Sequence, residues 1–203
     1  MTAEGSASER SQADKRRAFL LTARTATLAT VAPDGRPRLV PVCFCVLHNG
    51  SSGPTVVYSP IDEKPKRSAD GRSAADARSP ADLGTPADPR SAADLGTPAD
   101  LRRPADLRSP ADPRSLARVR DILHDSRVSL LVERWDEDWS RLAWLRLEGT
   151  ATLLEPIGAG ASEHAEAVEA LRTRYPQYES HRLEERPMLR IQIWRWVSWG
   201  ALD

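Results

Sequence analysis

Between Arg127 and Leu154 the chain reads RVSLLVERWDEDWSRLAWLRLEGTATLL, and this stretch limits the possible folds more than any other. Val128, Leu130 and Val132 alternate with Ser129, Leu131 and Glu133, the period-2 pattern of a strand with one buried face. The acidic, aromatic-flanked segment from Trp135 to Arg141 suits a solvated loop. A second extended run follows from Leu142 to Leu154, with Gly149 marking a bulge or bend. The whole predicts a long antiparallel hairpin near the centre of a sheet, with its loop as a place for function.

The remaining pattern supplies flanking elements. Residues 1–10 are small and polar and read as a disordered tail. Ser11 to Ala23 reads as a helix, and Thr25–Val31 as a first strand. Pro33-Asp34-Gly35 marks a turn into a second strand, Arg38–Leu47, paired back on the first. Pro41 inside that run requires an edge position or a bulge, because proline has no N–H to donate. A turn at His48–Gly53 leads to a third strand, Thr55–Tyr58. Leu116, Val119, Ile122 and Leu123 fall at helical spacing. Ala161, Ala165, Val168 and Leu171 trace the buried side of a helix ending at Tyr175-Pro176. Met188–Trp194 is a last main strand, with Trp194 and Trp196 on one face, and Val197–Leu202 a closing segment. About six antiparallel strands and three helices predict a mostly β fold, a small barrel with flanking helices.

Residues 69–116 differ in kind. They divide into eight hexamers: ADGRSA, ADARSP, ADLGTP, ADPRSA, ADLGTP, ADLRRP, ADLRSP and ADPRSL. A hexapeptide β-helix needs an aliphatic residue once per unit. That slot holds Leu83, Leu95, Leu101 and Leu107, but also Gly71, Ala77, Pro89 and Pro113. Half the slots cannot build a core, and the prolines deny backbone hydrogen bonds. The stretch reads as a disordered low-complexity insert within a single domain spanning 11–203.

Composition excludes several functions. With 29 basic and 29 acidic residues the formal charge is zero, which points away from nucleic-acid or membrane partners. No apolar run approaches the length of a membrane span, and the N-terminus lacks an apolar signal core. Cys43 and Cys45, two apart in an apolar run, read as small buried hydrophobes of a reduced, cytoplasmic protein. His48, His124, His164 and His181 are scattered, so neither a metal centre nor a catalytic triad is expected. Only three lysines occur, which draws attention to the two close together, Lys64 and Lys66.

Several segments, taken in order, resemble a known family. They are Ala26-Thr27-Leu28-Ala29-Thr30, Asp34-Gly35-Arg36-Pro37, Leu39-Val40-Pro41-Val42 and Lys64-Pro65-Lys66. Arg127 to Val132, Asp136 to Arg141 and Arg174-Tyr175-Pro176-Gln177-Tyr178 complete the set. Together they resemble the flavin-binding split-barrel superfamily of the pyridoxamine-phosphate oxidases, and within it the branch that uses the deazaflavin coenzyme F420. The family pattern runs almost directly from the lysine-proline-lysine segment into the helix at Leu116–Leu123; here the hexamers intervene.

The resemblance implies an oxidoreductase, a homodimer that binds F420 (or, alternatively, FMN) and passes hydride to a small-molecule substrate. A non-catalytic cofactor-binding protein is the reading from another class. Such cofactors bring their own hydride chemistry, which suits a chain without a catalytic constellation. Lys64 and Lys66, with Arg67, are then phosphate ligands; alone, such a cluster reads as a solvated turn. Tyr58 and Ser59 offer hydroxyl contacts, with core packing an equal alternative for Tyr58. Backbone groups of Val40, Pro41 and Val42 line the ring edge. Trp139, Ser140 and Arg141 face the partner's cofactor. Without the resemblance, Trp135 and Trp139 read as a hydrophobic clasp across the hairpin.

Overall fold

The order of strands explains how one sheet becomes a barrel. In the computed structural model, which describes residues 3–48, 54–61 and 112–202, seven strands form one antiparallel sheet. They are β1 (Ala26–Val31), β2 (Pro37–Val42), β3 (Cys45–His48), β4 (Thr55–Pro60), β5 (Arg127–Arg134), β6 (Ala143–Leu154) and β7 (Met188–Gly200). Their order is β2-β1-β5-β6-β7-β4-β3. Seven strands laid flat, about 4.8 Å apart, would hold the outer two roughly 29 Å from each other. Yet Val42 ends one edge strand and Cys45 begins the other, and three peptide links span at most about 11 Å. The sheet therefore curls until its edges meet, without a ladder between β2 and β3 among the described residues. This is a split β-barrel, mostly β, with α1 (Ala3–Thr22), α2 (Ala117–His124) and α3 (Ala161–Arg174) flanking it.

The expected strand Arg38–Leu47 is thus two strands serving opposite edges, and the count is seven instead of six. Pro41 lies in edge strand β2, where its missing N–H costs no ladder bond. The β5–β6 hairpin occupies the centre of the sheet as the alternation predicts, with Val128, Leu130 and Val132 buried. The pairing of β6 with β7 slips at Glu148/Gly149, so Trp194 has no opposite residue. A Cβ at Gly149 would lie 2.6 Å from the Gln192 carbonyl oxygen, which only glycine avoids. The slip changes the alternation along β7. Ile193 and Trp196 turn to the core and Trp194 to solvent, so the two tryptophans do not share a face.

Three further differences have local causes. The first helix starts at Ala3, so residues 3–10 extend it where a tail was expected. The last hexamer does not end as a loop: Asp112 caps a 3-10 turn at Pro113–Ser115 by accepting from Arg114 N–H, with proline at its favoured first position. In α3 the buried side is His164, Ala167, Val168 and Leu171, while Ala165 is exposed. His164 is held inside by a 2.7 Å hydrogen bond between Nε2 and the Arg186 carbonyl. Of the turn expected at His48–Gly53, His48 ends β3, while residues 49–53 and the hexamers up to residue 111 lie outside the described residues.

The core has two parts. Inside the barrel, Leu28, Leu130, Leu145, Leu147 and Ile191 pack with Val119 and Ile122 of α2. Outside it, Cys45, Val56 and Tyr58 pack beneath Val168 and Leu171 of α3.

Between β2 and β3 the chain crosses at Cys43-Phe44, where Phe44 belongs to neither ladder. Its N–H donates to the Tyr175 hydroxyl at 3.2 Å, and its carbonyl lies 2.8 Å from the same oxygen. Arg174 donates to that hydroxyl through Nε and to the Leu21 carbonyl at the end of α1. Tyr175→Phe leaves buried polar groups unpaired and should cost about 1–3 kcal/mol. Urea unfolding measures it; an unchanged midpoint would remove the clamp from this account.

Candidate functional site

Edge strand β2 carries the first candidates. Val40 and Val42 turn inward against the barrel core, while Leu39 and Pro41 project outward and are exposed. The side chains of Val40 and Val42 are therefore occupied by packing, and what they offer a ligand is backbone.

Tyr58 and Ser59 are neighbours on β4 and so face opposite ways. Tyr58 points outward under α3, where its hydroxyl donates to Glu163 Oε1; Arg190 Nε donates to the same oxygen at 2.7 Å. Burial and the bond to Glu163 push the Tyr58 phenol well above its ordinary range. Burial opposes ionisation of Glu163, but the bonds from Tyr58 and Arg190 outweigh it and hold the carboxyl below its usual value. The packing alternative thus describes Tyr58, whose hydroxyl is engaged. Ser59 points the other way, toward the barrel interior, and its Oγ is buried with no hydrogen-bond partner among the described residues. The two hydroxyls do not converge. Lys64, Lys66 and Arg67 lie outside the described residues.

The third cluster is the hairpin loop, which organises itself by nested turns. Asp138 N–H donates to Asp136 Oδ1, and Ser140 donates both N–H and hydroxyl to Asp138 Oδ1, at 3.0 and 2.7 Å. Those bonds from Ser140 hold the Asp138 carboxyl below its ordinary value. Arg141 Nε lies 3.3 Å from Asp136 Oδ2, and Arg134 Nε donates to the Arg141 carbonyl. On this frame Trp135 and Trp139 are 74% and 75% exposed, so they do not clasp one another. The Ser140 hydroxyl is committed within the loop, whereas Trp139 and Arg141 face solvent.

Register separates these clusters. Ser59 pairs with Leu189 at the start of β7, while the loop opens from Ala143, which pairs with Gly200 at its end. The strand between them is roughly 35 Å long at 3.3 Å per residue.

A cluster of Trp194, Trp196 and Trp199 for core or dimer packing is legible in the sequence, but two features escape it: the buried Asp121, and the β6 side chains that join Trp194 and Trp199 on one face. On α2 the buried polar residue is Asp121, with Leu123 exposed instead; its carboxylate accepts from Thr30 Oγ1 and Arg38 Nη1, both at 2.9 Å. On the outer sheet face, Trp144 pairs with Trp199, Arg146 with Val197 and Glu148 with Arg195. Trp194 and Trp199 there are 63% and 55% exposed. A charge among apolar helical positions was the available signal for the first. Alternation continued through Leu142–Leu154 was the signal for the second. Among the described residues there is no cluster of potential metal ligands, and no helix is long and apolar enough to cross a membrane.

No protein-family model and no curated protein matches the chain. Solved structures do resemble it. A conserved hypothetical protein of Mycobacterium tuberculosis is 17% identical with a TM-score of 0.53, over 93% of this chain and 83% of that one. A heme-binding protein of Mycobacterium smegmatis is 15% identical with a TM-score of 0.52; 92% of this chain matches 53% of that protein's length. A Bacteroides thetaiotaomicron protein, described as a candidate 5-nitroimidazole antibiotic resistance protein, is 8% identical with a TM-score of 0.51, covering 91% and 81%. At these identities the likeness establishes the fold, a split barrel.

Burial pushes the Cys45 thiol up to about 12, and its Sγ contacts the Ala167 carbonyl at 3.6 Å. Above pH 9 the unfolded thiol loses its proton while the folded one keeps it, so the folded state binds more protons. Stability should then fall as pH rises from about 9 toward 12, at up to about 1.4 kcal/mol per pH unit for each such group. Cys45→Ala should flatten that fall in chemical-denaturation measurements; an unchanged slope would contradict it.

Proposed function

We propose that the chain is an oxidoreductase subunit that binds coenzyme F420 and serves hydride transfer to a reducible small molecule. The observation that carries this reading is the buried Ser59 Oγ near the end of β4, which has no partner among the described residues and precedes Lys64 by five positions in the sequence. A buried hydroxyl without a partner costs stability, and an acceptor on a bound cofactor would recover it. F420 would supply the hydride chemistry. This chain's part is to hold the ring edge with the Val40–Val42 backbone, to pair phosphate with Lys64, Lys66 and Arg67, and to exclude water.

Dimerisation belongs to the same proposal. The loop with Trp139 and Arg141 is at the far end of β7 from Ser59, so a second subunit is the means of bringing such a loop to the cofactor. Trp135, Trp139, Trp194 and Trp199, each more than half exposed, could bury roughly 500 Å² between them. A standard interface takes about 800 Å² per partner. Sedimentation equilibrium should return about 45 kDa, twice the 22.4 kDa chain. Trp194→Arg with Trp199→Arg should return the monomer mass; a monomeric parent protein would defeat the shared-site model.

Cofactor identity is tested by tryptophan-quenching titrations with F420 and, separately, FMN. Saturable quenching by F420, weakened more than riboflavin binding by Lys64→Ala with Lys66→Ala, is the expected result. Preference for FMN would move the reading to an FMN-dependent oxidase or reductase. Binding without turnover on an acceptor panel that includes nitroimidazoles would make the protein a cofactor carrier.

A further inference from the structure

We propose that Arg38 is an anion-contact residue for the bound cofactor, oriented by the buried carboxylate of Asp121; the inference rests on the cofactor reading above. Asp121 is fully buried on α2, between Val119 and Ile122, which seal the barrel interior. An apolar residue could fill that position without the several kcal/mol of desolvation that a buried carboxylate costs. What the carboxylate adds is direction. Its Oδ2 is anchored by Thr30 Oγ1, which leaves Oδ1 to take Arg38 Nη1 at 2.9 Å.

The Arg38 side chain remains 45% exposed, and Asp121 is its salt-bridge partner. One nitrogen of the guanidinium is thus engaged on a half-exposed side chain, and the planar fork to which it belongs matches a phosphate or carboxylate. Holding the group in advance removes much of the entropy cost of ordering an arginine on binding. Its place also suits the role. Arg38 pairs across strands with Thr30 and precedes Val40 by two residues on β2, the strand whose backbone is assigned to the ring edge. Both candidate cofactors carry phosphate, so phosphate is the group that this fork would take.

The test compares FMN with riboflavin, which share a ring and differ by the phosphate. The variant is Arg38→Gln with Asp121→Asn, in which an amide pair replaces the ion pair without leaving a buried charge. Quenching titrations should show FMN and F420 weakened about tenfold, riboflavin unchanged, and a melting temperature near the parent value. Equal loss on FMN and riboflavin, or no loss on either, would overturn the role of Arg38. Should the double variant not fold, Arg38→Lys keeps the charge but lacks the fork, and the same selective loss on FMN is expected; parallel losses overturn the proposal. Inorganic pyrophosphate, followed at the Arg38 Nε–H resonance, separates this inference from its premise. If pyrophosphate shifts that resonance while no flavin or deazaflavin binds, the cofactor reading fails and the anion contact stands. If pyrophosphate gives no shift and no flavin binds, both fail.

Discussion

The barrel depends on one hydroxyl. Closing the sheet requires the chain to leave β2 and enter β3 at the opposite edge, and at that crossing the Phe44 backbone has no strand beside it. Buried backbone groups without partners are among the costliest faults a fold can contain. The Tyr175 oxygen answers by accepting from Phe44 N–H and Arg174 Nε, while its own proton is offered to the carbonyls of Arg24, at 2.7 Å, and Phe44. Arg174 also donates to the carbonyls of Leu21 and Ala23, the unsatisfied end of α1. Two adjacent residues thus close the seam and fasten the first helix beside it. Tyr175 belongs to a segment that carried the family resemblance, and the reason visible here for a tyrosine at that place is structural.

Where the sequence could be read, the information was local. Val128, Leu130 and Val132 alternate because one face of β5 meets the core, and Gly149 marks the place where β6 nears the Gln192 carbonyl too closely for a side chain. Arg38–Leu47 reads as a single strand because periodicity reports which face of a strand is buried and not which strand lies beside it. An apolar run keeps its pattern when it changes partners at Cys43-Phe44. Trp194 and Trp196 were placed together by the same rule, which a bulge reverses. Tyr58 and Ser59 are a different case, because adjacent strand residues must diverge. Their divergence follows from the sequence alone.

Asp121 and His164 show what periodicity could not reach. Each interrupts an apolar helical face, and each is tolerated because a distant segment supplies its partner. Thr30 and Arg38 come from β1 and β2 for Asp121, and the Arg186 carbonyl from the approach to β7 for His164. Glu163 does similar work at the start of α3, where the helix dipole favours a carboxylate, by taking both Tyr58 and Arg190. The helices are therefore held to the sheet by polar contacts at specific places as well as by apolar packing. Such contacts fix orientation, because a hydrogen bond is lost within a small displacement while apolar packing tolerates sliding.

The hairpin loop shows the same economy applied to a surface. Two large indoles in water would ordinarily sit on a loop free to fold them against the protein. Instead Asp136, Asp138, Ser140 and Arg141 tie the backbone between them into successive turns, and Arg134 links that backbone to the strand base and to the Ala201 carbonyl. Rigidity here works against burial within the same chain, since it keeps Trp139 from reaching back to its own sheet. The cost of ordering the loop is borne before any ligand or second subunit arrives, which is the condition under which exposed tryptophans bind most strongly. A loop built in this way, at the end of β7 remote from Ser59, keeps both indoles exposed on an ordered backbone.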